Sequence, residues 1–338
     1  MDLAQFEKRK LEHITLALSD EVQSPHRLGW DLVSLPHEAF PEINFEEVDT
    51  STSFFSYQLS SPFFISSMTA GHQQGEMINS RLAEISHRHQ ILMGVGSQRK
   101  ELSDSSAAQE WKNIRKKFPR CRFMSNIGLT QLITHRPEEI LHVIDSLEAV
   151  ALIVHTNPLQ EALQVEGTPQ FRGGLKALTA LVESSPVPII VKEVGFGFSQ
   201  ETLKKLNETG IAAVDVSGRG GTHWGRIEGL RSQSPVFEKA SQSFQDWGYS
   251  TFDVLKTLQN LKVNFQVWAS GGVRNGLEAA KAMALGAQFV GMAQPWLRAA
   301  LESEEKCEQL YQTLQLELKT SLFCTGSKTP KELYEKLK

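Results

Sequence analysis

A closed barrel of eight parallel strands, each followed by a helix, is the fold that this sequence predicts. Three observations point to it. Eight short runs rich in Val, Ile and Phe recur along the chain, helical segments lie between them, and the residues that follow each run are polar and rich in glycine. Runs of near-continuous apolar character read as strands buried on both faces. Strands that alternate with helices pair in parallel, and eight such units suggest closure into a (β/α)8 TIM barrel, with an open doubly wound sheet as the alternative.

The strand candidates are 62–67, 91–96, 122–126, 150–154, 188–192, 212–216, 265–269 and 289–292. Good helix formers with helical period cover 75–90, 103–117, 137–147, 173–183, 200–208, 251–261 and 275–285. Ser199 stands where a hydroxyl caps free backbone N–H groups, and Gly210 and Gly286 stand where helices stop in a left-handed turn. Residues 1–60 do not fit the repeat and read as an N-terminal extension with an antiparallel strand or two. The barrel and its C-terminal helices then occupy 61–338, with Pro330 opening the last helix. Residues 218–248, rich in Gly, Arg, Ser and Gln, read as a long loop with some local structure, inserted after the sixth strand.

Composition bounds the function. Of 338 residues, 40% are hydrophobic and 22% charged, the balance of an ordinary soluble globular protein. A net charge of −4 supplies no basic field for nucleic acid or an anionic membrane, and no apolar run approaches the length of a span. Short basic clusters, Lys8-Arg9-Lys10 and Arg115-Lys116-Lys117, read by themselves as solvated faces. Cys121, Cys307 and Cys324 have no metal-ligand spacing and suit a reduced, cytoplasmic setting. A homo-oligomer with a small-molecule substrate is expected.

In such a barrel the active site forms at the carboxyl ends of the strands. In order, those ends carry Ser67-Met68-Thr69-Ala70-Gly71, Ser97-Gln98-Arg99, Ser125-Asn126, His155 to Glu161, Lys192-Glu193, Ser217 to His223, Ser270 to Arg274, and Ala293-Gln294. Ser270-Gly271-Gly272 lets backbone N–H groups approach an anion, and the helix that follows adds the positive end of its dipole, so a phosphate site is expected there. Lys192 ends a very apolar strand. It reads either as half of an ion pair, with Glu193 or another barrel carboxylate, or as a cation facing the electron-rich edge of a cofactor ring. His155, Asn157, Gln160 and Glu161 gather after the fourth strand, where Pro158 makes a turn that brings the later pair back over the mouth. A single carboxylate, Glu161, holds Mg2+ only if substrate phosphates share it.

These strings resemble, in order and over nearly the full length, the flavin-dependent type 2 isopentenyl-diphosphate isomerases. The matching pieces are Arg9-Lys10 followed by His13, SMTAG at 67–71, GVGSQR at 94–99, Asn126 and HTNPLQEALQVEG at 155–167. They continue with VKEVG at 191–195, GRGGTHW at 218–224, ASGGVRNG at 269–276 and GMAQPWL at 291–297. The resemblance implies interconversion of isopentenyl and dimethylallyl diphosphate with reduced FMN and Mg2+, NADPH serving as reductant, and no net redox change. It implies flavin contacts at Ser67, Met68, Thr69, Ser97, Asn126, Lys192, Ser217, Thr222, Gly271, Gly272, Ala293 and Gln294. Substrate contacts follow at Arg9, Lys10, Ser97, Gln98, Arg99 and Gln160, and a magnesium ligand at Glu161. It also implies that the reduced flavin handles the proton, with His155, Gln160 and Trp224 lining the hydrocarbon end of the substrate.

Two residues depart from the family pattern. Ala70 stands where a second glycine is common, and His223 where Ser or Asn is common; the imidazole either faces solvent or sits near the allyl group. Arg9-Lys10 would act as a clamp that closes over bound diphosphate. Two other readings stand beside this one. An FMN-dependent 2-hydroxy-acid oxidase or dehydrogenase would use Arg219 and His223 as carboxylate anchor and base. A non-catalytic phosphate-binding barrel would need only the turn at Gly271-Gly272.

Overall fold

The computed structural model describes residues 11–24, 28–68 and 73–337. Eight parallel strands close into a barrel in chain order. They are β1 (Phe63–Ile65), β2 (Leu92–Gly94), β3 (Arg122–Gly128), β4 (Ala151–Thr156), β5 (Ile189–Glu193), β6 (Ala213–Asp215), β7 (Gln266–Ala269) and β8 (Phe289–Met292). Closure comes from β8 pairing with β1, where Val290 faces Phe63 and Met292 faces Ile65. Each strand falls on its apolar run because both of its faces are covered, one by the barrel interior and one by helices. The seven expected helices are present as Gln73–His89, Ala108–Lys117, Pro137–Asp145, Gly174–Ser184, Gln200–Asn207, Thr251–Gln259 and Gly276–Ala284. Ser199 accepts the Thr202 N–H as an N-cap, and Gly210 and Gly286 adopt φ of +77° and +105°. After the barrel come Gln294–Glu302, Glu304–Cys324 and a final 3-10 turn over Pro330–Leu337.

Residues 218–248 are more ordered than the sequence predicts. They hold two helices, Trp224–Arg231 and Pro235–Ser243. The first buries Arg226 and Glu228 on the same segment as Ile227, so it lacks the apolar stripe by which periodicity finds a helix. Pro158 likewise opens a six-residue helix, Pro158–Leu163, rather than a turn. Proline is pre-set for the first helical position, and the helix still carries Gln160 and Glu161 back over the barrel mouth.

The amino-terminal end of the barrel is plugged. A hairpin pairs Thr52–Phe54 with Tyr57–Leu59, and its Phe54 and Leu59 pack inside against Phe64, Leu92, Met124, Trp268 and Phe289. Phe54 meets Trp268 and Phe289 edge-on at ring separations of 5.5 and 6.1 Å. Burying each such side chain contributes roughly 1.5–3 kcal/mol, and aromatic pairs of this geometry add about 0.5–1.5 kcal/mol. Residues 11–24 run across the opposite end, where Ser24 donates to Gly221 O and His223 donates its backbone N–H to Val22 O. Among the described residues, no helix is long and apolar enough to cross a membrane.

Candidate active site

A cavity of about 210 Å3 opens at the carboxyl ends of the strands, and a smaller one, about 40 Å3, lies beside Arg219 and His223. Most of the predicted site residues line the larger one: Ser67, Met68, Ser97, Arg99, Asn126, His155, Gln160, Glu161, Lys192, Ser217, Thr222, Trp224, Gly271, Gly272, Ala293 and Gln294.

One half of the cavity is built on Lys192. In register across β4, β5 and β6, Lys192 faces His155 on one side and Asp215 on the other. Register partners on parallel strands point to the same face, so all three reach the upper layer of the barrel. Lys192 Nζ donates to Ser217 Oγ at 2.8 Å, Ser270 Oγ at 3.1 Å and Glu193 O at 3.0 Å, and pairs with Asp215 Oδ2 at 3.0 Å. Its carboxylate partner is therefore Asp215 rather than Glu193. The Glu193 carboxylate turns to its own loop and accepts the N–H groups of Val194, Gly195 and Phe196. Burial pushes the Glu193 carboxyl up to about 7, against the pull of those three donors and of Lys192. Ser217 reaches Lys192 from a left-handed backbone, φ +34°, which a residue with a side chain adopts only when its surroundings hold it there.

Above this layer the polar groups are arranged for a ligand. Ser67 Oγ is buried without a hydrogen-bond partner. Asn126 Nδ2 donates to Val95 O, so its Oδ1 accepts from His155 Nδ1 and fixes the imidazole tautomer. Gly271 and Gly272 have φ of +87° and +80°, and a Cβ on either would strike the backbone of the Gly218–Gly220 segment. The adjacent helix Gln294–Glu302 begins at Ala293 with no side-chain cap. A glycine cradle beside an uncapped helix start suits a phosphate, and a buried cation with an orphaned serine suits a polar aromatic ring above it. These residues fit FMN.

The other half is built around an acidic cluster, in which Arg231 is paired and Arg99 is not. Arg99 has no hydrogen bond or ion pair among the described residues. Burial pulls its guanidinium below the usual range, while Glu161, Glu166 and Glu228 oppose that pull. Glu161 accepts from Asn157 Nδ2 at 3.2 Å and from the Thr168 N–H at 2.7 Å. Gln160 accepts from Asn157 and donates to Glu228 Oε1 at 2.8 Å. Glu228 also contacts His13 Nε2 at 2.9 Å and Arg231. Burial alone would raise its carboxyl, but His13, Arg231 and Gln160 hold it at about 2. Trp224 meets the His13 ring edge-on at 5.3 Å. No group of three His, Cys, Asp or Glu side chains that could hold a metal ion occurs among the described residues. A Mg2+ ion at Glu161 would have to draw most of its ligands from substrate and water.

Some expectations fall elsewhere. Gln98 is buried under the site, not in it: its amide donates to Val143 O and Ser146 Oγ and accepts the Asn126 N–H. It braces Asn126 and does not line the cavity. His223 neither faces solvent nor the cavity. Its Nδ1 caps the helix Trp224–Arg231 by accepting the Arg226 N–H, its Nε2 donates to Phe244 O, and burial lowers its pKa. Arg219 pairs with Asp246 at 2.8 Å, also away from the cavity. The anchor and base of the hydroxy-acid reading are thus both engaged elsewhere. Arg9, Lys10, Thr69 and Ala70 lie outside the described residues. Asp215 and Glu228 were not expected in the site, Ser270 only as part of the phosphate turn, and His13 only within a matching string. Asp215 meets Ser270 55 residues on, and Glu228 meets Gln160 and His13 68 and 215 residues back, pairings that leave no local pattern; Ser270, polar after an apolar strand, did carry a usable signal.

The family model for FMN-dependent dehydrogenase matches residues 135–337. Among solved structures, the flavin-binding domain of baker's yeast flavocytochrome b2 superposes with a TM-score of 0.65 over 98% of this chain and 84% of that one, at 19% identity. A chimera of (S)-mandelate dehydrogenase gives 0.67 over 98% and 97%, at 13% identity. At such identities these likenesses establish the fold. Sequence relatives are much nearer. The isopentenyl-diphosphate delta-isomerase of Bdellovibrio bacteriovorus is 55% identical over 98% of this chain and 97% of its own length. Those of Legionella pneumophila (strain Paris) and of a Nostoc species are 48% and 40% identical over 99% and 96% of this chain. With half its residues shared across nearly the whole length of such a relative, the chain belongs to the isopentenyl-diphosphate delta-isomerase family.

Proposed function

We propose that this protein interconverts isopentenyl and dimethylallyl diphosphate, with FMN in the Lys192 half of the cavity and the diphosphate in the Arg99 half. The observation that carries this reading is Arg99: a largely enclosed guanidinium without a partner among the described residues, opening on the same cavity as Glu161. A half-buried charge without a direct hydrogen-bond partner is ready for a ligand to complete it, and a planar guanidinium suits phosphate oxygens. Glu161 would share Mg2+ with those oxygens. Its two hydrogen bonds hold the carboxylate in one orientation, so metal binding should strengthen when substrate is present. Ser97 adds a hydroxyl between the two halves, and Arg9 and Lys10 would close over the diphosphate.

Ser67, Met68, Thr69, Asn126, Ser217, Thr222, Gly271, Gly272, Ala293 and Gln294 would hold FMN, which in its reduced form, supplied by NADPH or another donor, provides the acid–base chemistry that moves the double bond. Chain residues orient and enclose the reacting carbons. Gln160 is fixed at both ends of its amide by Asn157 and Glu228. His155 is fixed by Asn126. With the Trp224 ring, these two would wall off the hydrocarbon end and exclude water.

The test is turnover of isopentenyl diphosphate by purified protein with FMN, Mg2+ and a reductant, followed by NMR of the product. Dimethylallyl diphosphate should form without stoichiometric consumption of reductant. Flavin reduction by a 2-hydroxy acid, with no isomerisation, would overturn the proposal.

A further inference from the structure

The Lys192 ammonium is not alone under the cavity floor. Asp215, 1% exposed and outside the cavity lining, stands one strand away and pairs with it at 3.0 Å. Ser270 Oγ donates to both Asp215 oxygens, at 2.8 and 2.9 Å, and also accepts from Lys192. Asp215 thus has two fixed neighbours, Lys192 and Ser270, and no place in the cavity lining. A buried ion pair of this kind is weak evidence for a stabilising role, because well-packed apolar residues would serve stability as well.

We propose that Asp215 is a positioning residue for the cofactor: it aims the Lys192 ammonium and offsets part of its charge, setting how strongly that cation favours a reduced, anionic flavin. This rests on the FMN reading above. A cation near the ring stabilises added negative charge, and a carboxylate directly behind the cation opposes it at similar range. The other ionisable or basic groups facing this layer are His155 from β4, Glu193 from β5 and Arg274 beyond β7. Glu193 is committed to its own loop, and Arg274 donates to Gln23 and Gln294. Asp215 is therefore the carboxylate with direct leverage on Lys192.

The experiment measures the two-electron reduction potential of bound FMN in wild type, Asp215→Asn and Asp215→Glu, by anaerobic dye equilibration at a pH near 6.5. FMN affinity of each apoprotein is read from the quenching of flavin fluorescence. Asp215→Asn should raise the potential by about 30 mV or more, a tenfold change in the reduction equilibrium. Asp215→Glu, which keeps the charge, should return toward wild type. If Asp215→Asn does not fold, Asp215→Ser leaves Lys192 a smaller hydroxyl neighbour and should show the same rise. A variant that binds FMN with an unchanged or lowered potential would overturn the inference while leaving the FMN reading intact. Failure of wild-type apoprotein to bind FMN would overturn the reading itself.

Discussion

The two ends of the barrel use the same eight strands in opposite ways. At the amino-terminal end, Phe54, Phe64, Trp268 and Phe289 fill the interior, Phe54 edge-on to Trp268 and Phe289 and the other pairs tilted, and the hairpin over Thr52–Leu59 closes it. At the carboxyl-terminal end the interior is open, Ser67 Oγ has no partner, Ser217 is held in a left-handed backbone, and Arg99 waits inside the wall. One end is filled by its own apolar side chains and serves stability, although Ser61 Oγ and Arg122 Nε there lack partners among the described residues. The other leaves an open cavity lined by polar groups, Ser67 Oγ and Arg99 among them, that a ligand can complete. The mouth is not uniformly unpaired, however: its deepest layer is the closed set of Lys192, Asp215, Ser217 and Ser270.

That contrast can be broken most severely at its deepest layer. Lys192→Ala strands the Asp215 carboxylate in the interior, and removing one partner of a buried pair costs about 3–5 kcal/mol. Denaturant unfolding should show that loss together with loss of FMN. Adding Asp215→Asn should restore stability but not FMN retention, which separates the structural from the ligand-binding role. At the plugged end, Trp268→Ala should cost about 3 kcal/mol or somewhat more through the cavity it leaves. The folded fraction should keep wild-type FMN affinity. A large change in FMN affinity there would mean that the two ends are not separable.

A smaller effect is expected from Glu193. Its carboxyl ionises near the ordinary 4.5 in the unfolded chain and near 7 in the fold, because of burial. Between those values the folded state holds a proton that the unfolded state has released, so this group's contribution falls as pH rises from 4.5 to 7 and then levels off. Glu193→Gln fixes the uncharged form. It should match wild type at pH 4.5 and exceed it by about 1–3 kcal/mol at pH 8. Parallel stability curves across that window would show that the three loop N–H donors outweigh burial.

The barrel was legible because its information is local. Continuous apolar runs, Ser199 as a cap, and Gly210 and Gly286 as stops each act within a few residues. Of the site, the positions at strand ends were legible for the same reason: once the strands are set, Lys192, His155 and Gly271-Gly272 must face the mouth. Pairings were not. Whether Lys192 meets Glu193 or Asp215 depends on which strand lies beside β5, and the sequence reading left both open. Gln98 lies beneath the cavity rather than along it, because alternation along an irregular segment does not say which of Ser97, Gln98 and Arg99 turns inward. Residues 218–248 were read as loop because their helix Trp224–Arg231 buries charge, Arg226 and Glu228, where an apolar stripe would announce it.

The claim that the mouth holds groups reserved for a ligand is tested most directly on Arg99. Calorimetric titration of isopentenyl diphosphate with Mg2+ into FMN-loaded wild type and Arg99→Ala should be paired with melting temperatures of both. Two charge-assisted hydrogen bonds to a phosphate group are worth on the order of 3 kcal/mol or more, so affinity should fall by roughly a hundredfold. Melting temperature without substrate should change little, because the half-buried guanidinium makes no direct hydrogen bond or ion pair among the described residues and only longer-range attraction to Glu161, Glu166 and Glu228 is lost. Unchanged affinity, or a marked drop in melting temperature, would contradict the account and make Arg99 a structural residue like those at the plugged end.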